Sequence, residues 1–191
     1  MNSLDIQNGI NHILKNDKYL AKIIEKSESC SILPKRNYYG MLVRSIIQQQ
    51  LSIYSAAAIN RKFLGHFSNK LIPDEILKTP DEILRSLGLS NAKVKYVKDL
   101  SEKVLTGDVK FKDLGKKTDD EIIEHLIRVK GIGIWTVHMF LIFTLGRLNV
   151  LPVNDLGLKR AVMNVYGLRK LPDEKKIIKI SKENNWNPYN S

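Results

Sequence analysis

Residues 126–160 read LIRVKGIGIWTVHMFLIFTLGRLNVLPVNDLGLKR, and the fold turns on how they are read. Just upstream, Thr118 with Glu121 three residues on makes a capping-box pattern, so a helix is expected to begin at Asp119. Ile122, Leu126 and Val129 give that helix an apolar stripe. Lys130-Gly131-Ile132-Gly133 breaks it, because two glycines one residue apart admit backbone angles that other residues resist. A second helix follows, with Ile134, Val137, His138, Leu141 and Leu145 on one stripe and Trp135, Met139 and Ile142 on the next. So wide an apolar surface predicts a largely buried helix, closed by Gly146. The helix, glycine hairpin and second helix therefore cover 119–145.

Such a turn points backbone N–H groups outward at the start of the second helix, where they and the helix dipole suit an anion such as a phosphate. No side chain is needed, so the contact is blind to base sequence. Two glycines also serve as plain helix punctuation, and that reading stays open on this motif alone. Downstream, Pro152 disfavours helix, which places Asp155 where an extended segment turns into the next helix. There it is an N-cap, a carboxylate held ionised by a helix terminus, or both at once.

Further out, the chain is helical in outline. Residues 4–26 read as two helices broken near Asn16-Asp17, and 38–67 as helix interrupted by Gln48-Gln49-Gln50. The three amides are either a solvated face or groups able to enter a DNA stack where a base has been flipped out. Pro73-Asp74-Glu75 and Pro80-Asp81-Glu82 look like helix starts. Residues 91–105 turn Val94, Val97, Leu100 and Val104 inward and Lys93, Lys95, Lys98 and Lys103 outward, either as a solvated face or toward phosphates. A basic connector covers 110–117, a helix runs from Asp155 to about Val165, and Leu171-Pro172-Asp173-Glu174 starts a last one. No run alternates at period two, so the fold class is all-α.

The 191 residues carry a formal charge of +11, with a pI near 9.6, which points to a polyanionic partner. Met1-Asn2-Ser3-Leu4-Asp5 lacks a basic start and apolar core, and no apolar run approaches a membrane span, so an intracellular protein without a membrane partner is expected. One cysteine, Cys30, excludes an internal disulfide and a four-cysteine iron–sulfur cluster. The histidines show no paired ligand spacing, and His138 reads as a packed core residue.

The run V-K-G-I-G-I-W-T at 129–136, followed by L-P-V-N-D at 151–155, resembles the helix-hairpin-helix superfamily of DNA glycosylases. Within it the likeness is to the alkylpurine (methyladenine) DNA glycosylases, including the Trp just after the hairpin and the Asp 24 residues after its first glycine. Leu42 to Ser52 is similar to the family's R-x-I-x-x-Q-Q-x-S helix, and Leu84 to Lys93 to its next segment; the likeness covers about residues 20–189. It implies two helical lobes, about 36–145 and 1–35 with 146–191, with a DNA-binding cleft between them.

The resemblance also implies roles. Asp155 is the catalytic carboxylate, beside a sugar that gains oxocarbenium character as the N-glycosidic bond breaks. Trp135 and Met139 form the base pocket, where an indole face attracts a cationic alkylpurine by about 0.5–2 kcal/mol; on the residues alone, a Trp flanked by aliphatics reads as core. Gln50 is the DNA wedge and Gln49 its neighbour. Lys130, Gly131, Ile132, Gly133 and Thr136 are the phosphate-binding hairpin, with Arg160, Lys159 and Lys93 as further DNA contacts. Carbonyls of Ile127, Val129 and Gly131 map to a monovalent cation, Na+ or K+, and no other cofactor is required. Relatives that cut the strand have a lysine at position 135, so base removal without lyase activity is expected, by a monomer acting on damaged duplex DNA in base excision repair. Two departures stand out: the N-terminal β domain of some bacterial relatives has no counterpart here, and W-x-P-Y at 186–189, which opens a long final helix in relatives, is followed only by Asn190 and Ser191. Alternatives are another lesion (uracil, hypoxanthine or an oxidised purine), a non-catalytic helix-hairpin-helix DNA-binding module, and a helical adaptor for acidic proteins.

Overall fold

The computed structural model of the chain describes residues 3–30 and 32–191. Among these there are helices and no strands. The order is α1 (Ser3–Asn16), α2 (Lys18–Ile24), α3 (Tyr38–Gln48), α4 (Ile53–His66), α5 (Pro73–Lys78), α6 (Asp81–Ser86), α7 (Asn91–Thr106), α8 (Asp119–Leu126), α9 (Ile134–Phe140), α10 (Leu156–Val165) and α11 (Glu174–Glu183). No described helix is long and apolar enough to cross a membrane. The chain divides into two compact units, one made of Lys35–Phe140 and the other of the segment up to Pro34 with Leu141–Ser191.

In the Lys35–Phe140 unit, side-chain caps mark most of the helix starts: Asn37 accepts from the Gly40 N–H, Ser52 from Ser55, Ser90 from Lys93 and Thr118 from Glu121. The capping box at α8 is reciprocal, since Glu121 accepts from the Thr118 N–H at 2.6 Å. The apolar stripes meet in a core containing Leu42, Ile46 and Ile47 of α3, Phe63 of α4, Val97 and Leu100 of α7 and Leu126 of α8, all fully buried. The basic connector forms a 3-10 turn at Leu114–Lys116.

The other unit packs Ile13, Val162, Ile180 and Trp186 together, with Leu20, Ile24, Leu158 and Tyr166 against them. At its centre lies Asp17, 0% exposed. Its carboxylate caps α2 by accepting from the Tyr19 and Leu20 N–H groups at 2.9 and 3.0 Å. It also accepts from the Trp186 indole at 2.7 Å and from the Tyr166 hydroxyl. Burial alone would raise its pKa, but these donors outweigh burial and hold it below the ordinary 3.8. A carboxyl with a lowered folded pKa stabilises above its ordinary pKa, and loses that contribution as the pH falls through the folded value. We expect Asp17→Ala to cost on the order of 3–5 kcal/mol, because it strands buried donors. Urea midpoints of wild type and Asp17→Asn should converge as the pH is lowered from 7 to 3.

One expected element comes out differently. The helix foreseen over 134–145 is α-helical only to Phe140, and Leu141–Leu145 continues as a π turn before Gly146 takes a left-handed φ of 70°. Nor is it buried all round: Ile134, Trp135 and Phe143 are 55%, 45% and 47% exposed, while Val137, Phe140 and Leu141 are buried. Apolar composition on two stripes does not distinguish core from a face kept open. His138 is half-buried, and burial pushes its pKa down, ahead of an opposing contribution from Asp119.

Candidate nucleic-acid interface

The hairpin joins α8 to α9. The Val129 N–H donates to Leu126 O at 3.1 Å and the Ile132 N–H to Val129 O at 3.0 Å, so the chain turns tightly over four residues. Gly131 has a φ of 80°, in the left-handed region, and a Cβ built on it would lie 2.1 Å from the Tyr96 ring. Gly133 differs. Its φ is not left-handed and a Cβ there would meet nothing within 4 Å, so no group of the protein demands glycine. Val137 N–H donates to Gly133 O at 3.1 Å as α9 begins.

Three groups hold this turn from below. The Gln49 amide donates to Gly131 O at 2.8 Å and to Thr136 Oγ1 at 3.4 Å. The Tyr96 ring fills the place a Gly131 side chain would take. Asp99 accepts from the Lys130 N–H at 2.8 Å. Its carboxylate also pairs with Lys103 Nζ at 2.8 Å and Lys130 Nζ at 3.5 Å. Thr136 is buried under the turn, whereas Lys130 is exposed.

The glutamine run forms the turn between α3 and α4. Gln50, which is exposed, has a φ of 56°, unusual for a residue with a side chain and costing about 1–3 kcal/mol. Leu51 N–H closes the turn on Gln48 O at 3.2 Å, and Ser52 then caps α4. Leu51, Ile53 and Tyr54 around it are 37%, 85% and 89% exposed. Lys93 is half-buried and donates to Ile47 O at 2.8 Å, closing an end carbonyl of α3; burial lowers its pKa. One of its three donors is therefore engaged in shaping this turn.

Trp135 stands in the first turn of α9, with Met139 one turn on and half-buried. In the other unit, Asp155 is the N-cap of α10: its Oδ1 accepts from the Leu158 N–H at 2.6 Å. Gly157 leaves room for it, as a Cβ there would fall 2.9 Å from Asp155 Oδ1. Lys159 is half-buried and Arg160 exposed in the first half of α10. Gly157, Tyr96 and Asp99 went unread in the sequence. A glycine within a helix's first turn is the signal for the first; for the other two, the only local sign is an acid and a tyrosine on a lysine-rich helix.

Residues 43–187 match the model of the HhH-GPD superfamily of base excision DNA repair proteins. The chain belongs to that superfamily. It is 32% identical over 170 residues to DNA-3-methyladenine glycosylase 1 of Schizosaccharomyces pombe, covering 87% of this chain and 75% of that protein. The fold matches the S. pombe 3-methyladenine DNA glycosylase Mag1 in complex with abasic DNA, with a TM-score of 0.83 and 28% identity over 95% of this chain and 90% of that one. It also matches a DNA-3-methyladenine glycosidase of Bacillus halodurans, at a TM-score of 0.80 and 36% identity over 95% of this chain and 83% of that one. The all-helical expectation and the family resemblance agree with these findings.

Proposed function

We propose that the chain is a monofunctional DNA glycosylase of base excision repair, removing N-alkylated purines of the 3-methyladenine and 7-methylguanine type from duplex DNA. The observation that carries this reading is the indole of Trp135, 45% exposed at the head of the hairpin helix. A large aromatic left partly in solvent can present ring surface to a ligand, and an electron-rich face selects a cation. Met139 lines the same helix side one turn along. The relatives' names, which specify 3-methyladenine, support the same substrate class.

In this reading, the hairpin holds a backbone phosphate through N–H groups other than those of Lys130 and Ile132, which are given to Asp99 and Val129 O; Lys159 and Arg160 contribute positive charge toward the DNA. Gln50, held outward by its left-handed turn, fills the gap left by the flipped nucleotide, and Gln49 keeps that turn tied to the hairpin. The bond between C1′ and the base nitrogen then breaks. The bonding pair leaves with the base, whose alkyl-derived positive charge makes it neutral on departure, so no strong general acid is needed. Asp155 stabilises the positive sugar and takes the proton of the water that adds at C1′. Trp135 has no amine to form a Schiff base, so the strand stays uncut.

The carbonyls of Ile127, Val129 and Gly131, onto which the resemblance maps a monovalent cation, are hard oxygen donors of the kind Na+ or K+ takes. Val129 O accepts from the Ile132 N–H and Gly131 O from Gln49, and a carbonyl oxygen has a second lone pair. A Na+ or K+ bound there would add positive charge beside the phosphate. The chemistry itself needs only water.

The test is chromatography of bases released from methylated duplex DNA, followed by analysis of the strands. Free methyladenine, with breaks appearing only after alkali, supports the proposal. Release of uracil or hypoxanthine instead from matching duplexes moves the substrate class, and binding without release leaves the non-catalytic module. Gly133→Ala should leave the thermal midpoint within about 1 °C, since its methyl enters open space. It should weaken duplex binding about tenfold, because the methyl takes the space that a closely approaching phosphate needs; thermal melts read the first outcome and fluorescence anisotropy the second.

A further inference from the structure

Lys93, Tyr96 and Asp99 follow one another at three-residue spacing along α7, and so share one side of that helix. Each touches a different part of the interface. Lys93 closes Ile47 O beneath the glutamine turn, Tyr96 lies under Gly131, and Asp99 accepts the Lys130 N–H. Gln49 closes the loop by reaching from the glutamine turn to Gly131 O.

Asp99 is the unexpected member. It is only 7% exposed, on a chain whose charge is +11, and directly beneath a turn read as an anion site. Its charge opposes an anion there. A buried ion pair is also weak support for stability; Lys103, at 2.8 Å and 23% exposed, is the closer partner, while Lys130 is 73% exposed, where pairing contributes little. What Asp99 does specifically is fix the direction of the Lys130 N–H at 2.8 Å.

We propose that Asp99 is a positioning residue, holding the hairpin amides in the register that receives a phosphate and, through α7, at a fixed spacing from the glutamine turn. The proposal rests on the hairpin reading given above. Burial would raise the Asp99 pKa, but Lys103 and the Lys130 N–H lower it further, so the carboxylate stays ionised while it does this.

The experiment measures duplex DNA affinity against salt for wild type, Asp99→Ala and Asp99→Asn. By charge alone, both variants should bind more tightly. Positioning makes the opposite prediction for one of them. Asp99→Ala should bind about tenfold more weakly or worse, with the slope of log K against log salt reduced by about 0.9, the loss of one phosphate. Asp99→Asn, which keeps an acceptor for the Lys130 N–H, should stay within about twofold of wild type. Equal or tighter binding by Asp99→Ala overturns the proposal, as does Asp99→Asn binding as weakly as Asp99→Ala. If Asp99→Ala does not fold, hydrogen exchange in the wild type decides. The Lys130 amide should be protected about a hundredfold or more despite its exposed side chain, and exchange at the open-chain rate overturns the proposal. A wild type that fails to bind duplex DNA sinks the hairpin reading, and the Lys130 exchange rate still reports whether Asp99 holds the turn.

Discussion

Asparagine in place of Asp155 is expected to cut base release by at least about 10²–10³-fold with duplex affinity unchanged. The substitution separates two properties of one side chain. Asparagine caps helices as well as aspartate does, so the bond to the Leu158 N–H, 2.6 Å in the wild type, has an acceptor in the variant too. What disappears is the negative charge that meets a positive sugar. Asp155→Ala should lose the cap as well, at about 1 kcal/mol of stability. Single-turnover release on methylated duplex, at saturating enzyme, is the measurement. Release by Asp155→Asn at the wild-type rate would leave the enzyme standing and remove Asp155 from its catalytic role.

Gly131→Ala should do the most damage to the hairpin. A left-handed φ of 80° costs a residue with a Cβ about 1–2 kcal/mol. The added methyl would also sit 2.1 Å from the Tyr96 ring, and such overpacking costs about 1–3 kcal/mol more. Either the ring or the turn must shift, and the turn carries Gly131 O, the acceptor for Gln49. We therefore expect a lower unfolding midpoint together with a loss of duplex affinity greater than tenfold. Tyr96→Ala added to Gly131→Ala should recover the overlap cost but not the backbone cost. A Gly131→Ala protein as stable as Gly133→Ala would show that the two glycines serve the same purpose, against the geometry described above.

Local chemistry made much of this molecule legible before any coordinates. Thr118 with Glu121, Asp155 after Pro152, and Gly131 before an apolar helix are each decided by neighbours within a few residues, and each lies where the sequence implies. Whatever depends on distant partners was opaque. Lys93 reads as one more surface lysine until Ile47, 46 residues away, is beside it. Asp99 and Lys130 are 31 residues apart, and Gln49 and Gly131 82 apart. Trp135 illustrates a different limit. Its aliphatic neighbours argue for burial, but exposure is set by which face the fold leaves open, and no periodicity encodes that.

The position of Asp17 has a consequence for how the chain is made. Its two side-chain donors, Tyr166 and Trp186, come 149 and 169 residues later. During synthesis α1 and α2 therefore emerge before these partners and lock only after the Lys35–Phe140 unit has had all its residues available to fold. Until then the carboxylate keeps its water and the apolar stripes of the first two helices keep no core. The segment that forms α1 and α2 is thus in need of shelter until its partners are made, and slow synthesis through residues 141–191 should lengthen that need.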